Sequence, residues 1–192
     1  MQQSPIAELR ARLRLPLIAA PMFLVSGVAL VSAACVHGVI GAFPTVNCRT
    51  PEELDGWLRE IESRTSRSSD ASGVAAAPVC PNLIVHRSNM RLQDDLAVLL
   101  RHRPELVITS VGSPAPVIAP LHDAGALVLA DVASLRHAER ADRLDDVWTH
   151  RLEQVHGSLI GAVVIASHHG GRACGRKSMR QILARHHQHI VV

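Results

Sequence analysis

Short apolar runs alternate with amphipathic stretches along most of the chain, which predicts strands and helices in turn. The run LIAAP at 17–21 reads as a first strand and VIGAFP at 39–44 as a second. Further strands are expected at 79–85 (VCPNLIV), 105–111 (ELVITSV), 126–132 (ALVLADV) and 159–166 (LIGAVVIA). Helical patterning falls between them at 26–37, 50–62, 92–101, 114–123 and 134–144, and more weakly at 176–186. Ser26 reads as the N-cap and Gly38 as the stop of the first of these helices. Thr50, Pro51 and Glu53 supply an N-cap, a proline at the first helical position and a capping-box acid for the second. The polar stretch 63–72 reads as an exposed Ser/Arg loop. Pro81 has no backbone donor, so it is expected at a strand start or a bulge.

Regular strand–helix alternation predicts an α/β fold with a parallel sheet. An open doubly wound sheet and a closed (β/α)8 barrel compete. A full barrel takes roughly 250 residues. The 192 residues here hold about five to six βα units, so length alone favours the open sheet. Apolar residues make up 47% of the chain and charged residues 19%, enough to build a real core. Aromatics are confined to Phe23, Phe43, Trp57 and Trp148. That scarcity argues against nucleic-acid stacking, and an Ala/Val/Leu/Ile interior suits buried parallel strands.

Charge is unevenly placed. Residues 1–149 carry 14 Arg against 16 acidic residues, whereas 150–192 carry six basic residues against Glu153 and hold seven of the twelve His. The expectation is one domain over 1–192, in which 142–192 forms a His/Arg-rich segment of different character. Its closing run, with His187 and His189, reads as an exposed tail rather than a metal site. Cys35, Cys48, Cys80 and Cys174 show no CxxC spacing, so reduced thiols are expected. No cleavable leader is apparent and no apolar run is long enough to span a bilayer, which points to a cytoplasmic protein with no membrane partner.

Three ordered segments change this picture: LRLPLIAAPMFLVSGVALVSAACVHGVIGAFPTVNCRTPEELDGWL at 13–58, PNLIVHRSNMRLQDDL at 81–96, and ELVITSVGSPAPVIAPLHDAGALVLADVASLRHAERA at 105–141. Together they resemble the FMN-dependent nitronate monooxygenases, once called 2-nitropropane dioxygenases. The resemblance implies a (β/α)8 barrel of the TIM type, incomplete here, with FMN at the C-terminal ends of its strands. It covers about residues 1–141. The implied chemistry is oxidative denitrification of an alkyl nitronate or nitroalkane with O₂.

The residues fit that role chemically. Ala20, Pro21 and Met22 end the first strand with little bulk, so backbone groups can meet the edge of a flat ring. Asn82 is a lone amide in an apolar strand and can both donate to and accept from a flavin's pyrimidine edge. The ordinary alternative is an amide satisfied by backbone. Ser110 and Asp131, at the ends of the fourth and fifth strands, are expected to line the pocket or to cap the turns that follow.

Beyond 141 the resemblance fades. The segment LIGAVVIASHHGGRACG at 159–175 echoes the family's strand and glycine loop, with Gly170 and Gly171 as further flavin contacts. Arg172, however, stands where the family has its catalytic His. A guanidinium stays protonated near neutral pH and cannot act as a base. His168 or His169 would have to take that part, and no segment resembles the family's phosphate-binding loops. Two other readings remain open. One is a related FMN barrel such as a flavin-dependent enoyl reductase. The other is a non-catalytic partial barrel whose open edges drive self-association or capture of a partner.

Overall fold

The structure is a computed structural model and describes residues 5–132, 147–149 and 162–166. Its centre is a run of five parallel strands: β1 (Ile18–Ala19), β2 (Ile40–Pro44), β3 (Val79–Ile84), β4 (Leu106–Ser110) and β5 (Leu127–Val132). They lie side by side in sequence order and curl into the wall of an incomplete barrel. Helix α1 (Pro5–Arg12) precedes β1, and α2 (Val28–Val36), α3 (Pro51–Ser72), α4 (Leu92–His102) and α5 (Ala115–Asp123) form the crossovers. Each strand therefore points the same way, and all five C-terminal ends open on one end of the wall.

Side-chain alternation divides the strands into two faces. Phe43, Leu83, Val107, Val128 and Ala130 pack with Val31, Leu54, Leu58, Ile61, Leu99 and Leu121 in the layer between sheet and helices. Ile18, Ile40, Ala42, Cys80, Leu106, Ile108, Leu127 and Leu129 form a second buried cluster on the inner face, with Leu9 of α1 among them. This two-sided burial explains why the strands read as continuous apolar runs. At Gly41 a Cβ would lie 2.5 Å from the Val31 carbonyl oxygen, so only glycine lets α2 approach β2 this closely.

Several boundaries follow the expected chemistry. The Thr50 hydroxyl accepts from the Glu53 backbone N–H at 3.2 Å, with Pro51 opening α3. Gly38, at φ 78°, ends α2 in the left-handed region. Other expectations need correction. Residues 63–72 are not a loop but the second half of α3. The Thr65 hydroxyl donates to the Ile61 carbonyl, Ser69 to Thr65 and Ser72 to Ser68, at 2.8–3.0 Å. These hydroxyls turn back onto the helix instead of competing with it. Pro81 sits inside β3, in register with Phe43, and not at a strand start.

The run expected as a sixth parallel strand does form a strand, β7 (Ala162–Ala166), but it pairs antiparallel with β5, and β6 (Val147–Thr149) pairs antiparallel with it in turn. An apolar run specifies a buried strand and not its direction, which the connection decides. The helices expected at 134–144 and 176–186 lie outside the described residues. Cys35, Cys48 and Cys80 are free and buried, and burial pushes the Cys35 and Cys48 thiols up to about 11 and about 12. They stay protonated at neutral pH and are poor nucleophiles. No helix among the described residues is long and apolar enough to cross a membrane.

Candidate functional site

Register places the inner-face residues in layers that climb toward the C-terminal ends of the strands. Ala42, Cys80, Leu106 and Leu127 make a wholly apolar layer. The next holds Pro44, Asn82, Ile108 and Leu129, since Pro44 pairs with Asn82, Asn82 with Ile108 and Ile108 with Leu129. Above it Ile84 pairs with Ser110, and Asp131 lies one step beyond the pair Thr109–Ala130. Asn82, Ser110 and Asp131 thus share one face and one end of the wall. Continuing the alternation from Ile18 puts Ala20 on that face as well. The exits of β1 and β3 open on the same end, with only β2 between them.

Asn82 is 8% exposed, and its carboxamide oxygen is buried without a hydrogen-bond partner among the described residues. The ordinary alternative, an amide satisfied by backbone, does not describe this oxygen. Leaving such an atom unpaired is destabilising by about 1–3 kcal/mol. Ser32 on α2 and Asp95 and Arg91 at α4 also carry unpartnered buried atoms, but on the helical side of the sheet. Ser110 is buried, and its carbonyl accepts from the Val85 N–H at 2.9 Å. Asp131 is exposed, yet desolvation by its surroundings holds its carboxyl above the ordinary carboxylate range. Thr45, which sequence pattern did not single out, is fully buried just past β2, and its hydroxyl has no partner among the described residues.

The β1 exit is held by two side chains. Ser26 does not cap α2, whose N-cap is Gly27. Its hydroxyl instead accepts from the Met22 N–H and donates to the Ala20 carbonyl, both at 3.0 Å. Asn47, in the 3₁₀ turn after β2, accepts from the Leu24 N–H and donates to the Met22 and Ser26 carbonyls. Ala20 and Met22 are exposed and Pro21 is half-buried, so this segment is accessible. An Asn three residues beyond a strand end carries no spacing signal, which is why Asn47 is visible only in the structure.

The β3 and β4 exits pack closely. A Cβ on Gly112 would lie 2.9 Å from the Val85 carbonyl oxygen, and Val111, a β-branched residue, holds φ at 62°. Strain of that kind gathers at functional sites. Of the remaining expected site residues, Gly170, Gly171, His168, His169 and Arg172 lie outside the described residues. Among the described residues no group of His, Cys, Asp and Glu could hold a metal ion.

No protein-family model matches the chain, and no curated protein does. Solved structures do. The structure of FabK from Thermotoga maritima superposes with a TM-score of 0.60 at 20% identity, over 74% of this chain and 42% of FabK. A point mutant of the same FabK matches over 74% of this chain and 44% of its own, again at 20% identity and a TM-score of 0.60. The chain therefore spans less than half the length of these neighbours. At that identity the likeness establishes the fold, an α/β wall of the (β/α)8-barrel type.

Proposed function

We propose that this wall is the flavin-facing part of an FMN-dependent barrel oxidoreductase of the nitronate monooxygenase type. The observation that carries the reading is the Asn82 amide, aimed into the inner face with its oxygen buried and unpaired. A ring N–H would satisfy that oxygen. Ala20, Pro21 and Met22 present small or flexible groups and backbone at the neighbouring exit, which suits the edge of a planar ring. Ser110 and Asp131 stand one layer higher, where a substrate or the ring's polar rim would meet them. FMN, when bound, supplies electron transfer between an organic substrate and O₂. The chain's own part is to bind and orient the ring, shield it from water and place a base. In this reading His168 or His169 is that base and Gly170 and Gly171 approach the flavin, because Arg172 cannot accept a proton at neutral pH. Substrates are a small alkyl nitronate or nitroalkane with O₂, and no nucleic acid or membrane takes part.

The three resembling segments support the nitronate assignment. The FabK likeness favours a second reading, a flavin-dependent enoyl reductase on the same wall. The deciding experiment is flavin content. Purified 192-residue chain given FMN and desalted should stay yellow, absorbing near about 450 nm as bound flavin does. Nitrite release from an alkyl nitronate then selects the first reading, and reduced-nicotinamide-dependent reduction of an enoyl thioester selects the second. A colourless, self-associating chain that does not quench FMN fluorescence refutes both and leaves the non-catalytic partial barrel.

A further inference from the structure

The segment between β1 and α2 leaves its apolar side chains exposed. Met22, Phe23, Leu24 and Val25 are 43–78% exposed, so burial of these groups does not hold the segment in place. Leu24 also sits at φ 60°, a conformation unfavourable for a branched residue unless its surroundings enforce it. What enforces it is polar. The Asn47 oxygen accepts from the Leu24 N–H at 3.0 Å, and its amide nitrogen donates to the carbonyls of Met22 at 3.2 Å and Ser26 at 3.1 Å. One N–H and two carbonyls fix which end of the amide is oxygen. Ser26 closes the loop from within through Ala20 and Met22.

Asn47 is anchored in turn. The next residue, Cys48, is fully buried, and its carbonyl accepts from Arg91 Nη1 at 2.7 Å. Arg91 Nη2 pairs at 2.7 Å with Asp95, which is fully buried on α4. A continuous polar connection thus runs from α4 through the turn after β2 to the exit of β1.

We propose that Asn47 is the positioning residue for the flavin-facing exit of β1: by bridging 22–26 it fixes the direction in which Ala20, Pro21 and Met22 face the ring. This rests on the FMN reading. Asn47 contributes through the backbone it holds and not through contact with the flavin.

The test uses the full chain, titrated with FMN by fluorescence quenching, with amide exchange of Met22, Leu24 and Ser26 followed alongside. Asn47→Ala should weaken FMN binding about ten-fold, the equivalent of one to two lost hydrogen bonds, and should speed Leu24 exchange by a similar factor. Asn47→Asp separates positioning from general damage. As a carboxylate it can still accept from the Leu24 N–H but cannot donate to Met22 or Ser26. It stays ionised at neutral pH, so its FMN affinity should be low, with amide exchange faster at Met22 and Ser26 and unchanged in β3 and β4, even if Asn47→Ala folds poorly. Wild-type-like FMN affinity in Asn47→Ala, or a deficit in Asn47→Asp accompanied by equally faster exchange in β3 and β4, overturns the positioning role and leaves the FMN reading standing. A wild-type chain that does not bind FMN overturns the FMN reading and, with it, the role assigned to Asn47.

Discussion

Replacing Asn82 with leucine should move stability and ligand affinity in opposite directions. The amide lies between Pro44 and Ile108 on the inner face, next to an apolar layer, and is 8% exposed with its oxygen unpaired. Leucine fills a similar volume without a polar atom to desolvate. Removing the orphaned oxygen should stabilise the flavin-free chain by about 1–3 kcal/mol. With a urea m-value of about 1–3 kcal/mol/M, the unfolding midpoint should rise by something on the order of 1 M. The same change deletes the hydrogen bond proposed for FMN, and the loss of about 1–3 kcal/mol there corresponds to roughly a ten- to hundred-fold weaker dissociation constant. Urea titration of flavin-free protein and FMN fluorescence quenching measure the two effects independently. Asn82→Ala is the control, because it loses the amide but leaves a cavity, and should lower both stability and affinity. A lower urea midpoint in Asn82→Leu would refute the reasoning, since the amide would then be a satisfied structural group. Unchanged FMN affinity would remove Asn82 from the site.

Three further outcomes follow from the packing. Gly41→Ala should destabilise the chain by about 1–3 kcal/mol in chemical denaturation, because its Cβ would meet the Val31 carbonyl at 2.5 Å and the Cys35 sulfur at 2.9 Å, and helix and strand must move apart. Thr50→Ala should lose about 1 kcal/mol through the missing cap on α3, read as a lower thermal midpoint, with Thr50→Ser close to wild type. Asp131 has a carboxyl raised by desolvation, so the folded state binds its proton more tightly than the unfolded state and stability falls as pH rises through the interval between the two pKa values. Asp131→Asn should therefore raise the melting temperature at neutral pH, with the gain vanishing below about pH 4, where the unfolded carboxyl is also protonated.

The strands were legible because two-sided burial writes itself as apolar runs, and β2 through β5 fall within a residue or two of the runs that announced them. The common face of Asn82, Ser110 and Asp131 was legible only as a shared position near strand ends; the register shows them on adjacent layers. Three features were not readable, each for a physical reason. Serine favours caps and turns on average, so 63–72 reads as a loop, and only the actual hydroxyl-to-carbonyl bonds of Thr65, Ser69 and Ser72 reveal a helix. Ser26 has the composition of an N-cap and sits beside one, but its hydroxyl is committed to Ala20 and Met22. Asn47 lies more than twenty residues from Met22 and Leu24, and no local pattern encodes a contact that tertiary folding creates.

Polarity on the inner face rises with height, and this constrains where a ligand can sit. The layer of Ala42, Cys80, Leu106 and Leu127 offers no polar side chain beyond a thiol that burial keeps protonated. The layer above offers one amide, and the one above that a hydroxyl and a carboxyl. Successive inner-face residues of a strand are separated by about 6.6 Å, two steps of roughly 3.3 Å. A group that engages both Asn82 and Asp131 must therefore reach across a full layer, deeper on the β3 side than on the β5 side. A compact anion or a short polar metabolite would not need the deeper amide and would leave its oxygen unpaired. A ligand as extended as a tricyclic ring can meet both. Loss of affinity on Asn82→Leu should accordingly be large for FMN and for riboflavin, which share the ring, and absent for inorganic phosphate. Equal losses for ring and phosphate would place Asn82 against the wrong end of the cofactor.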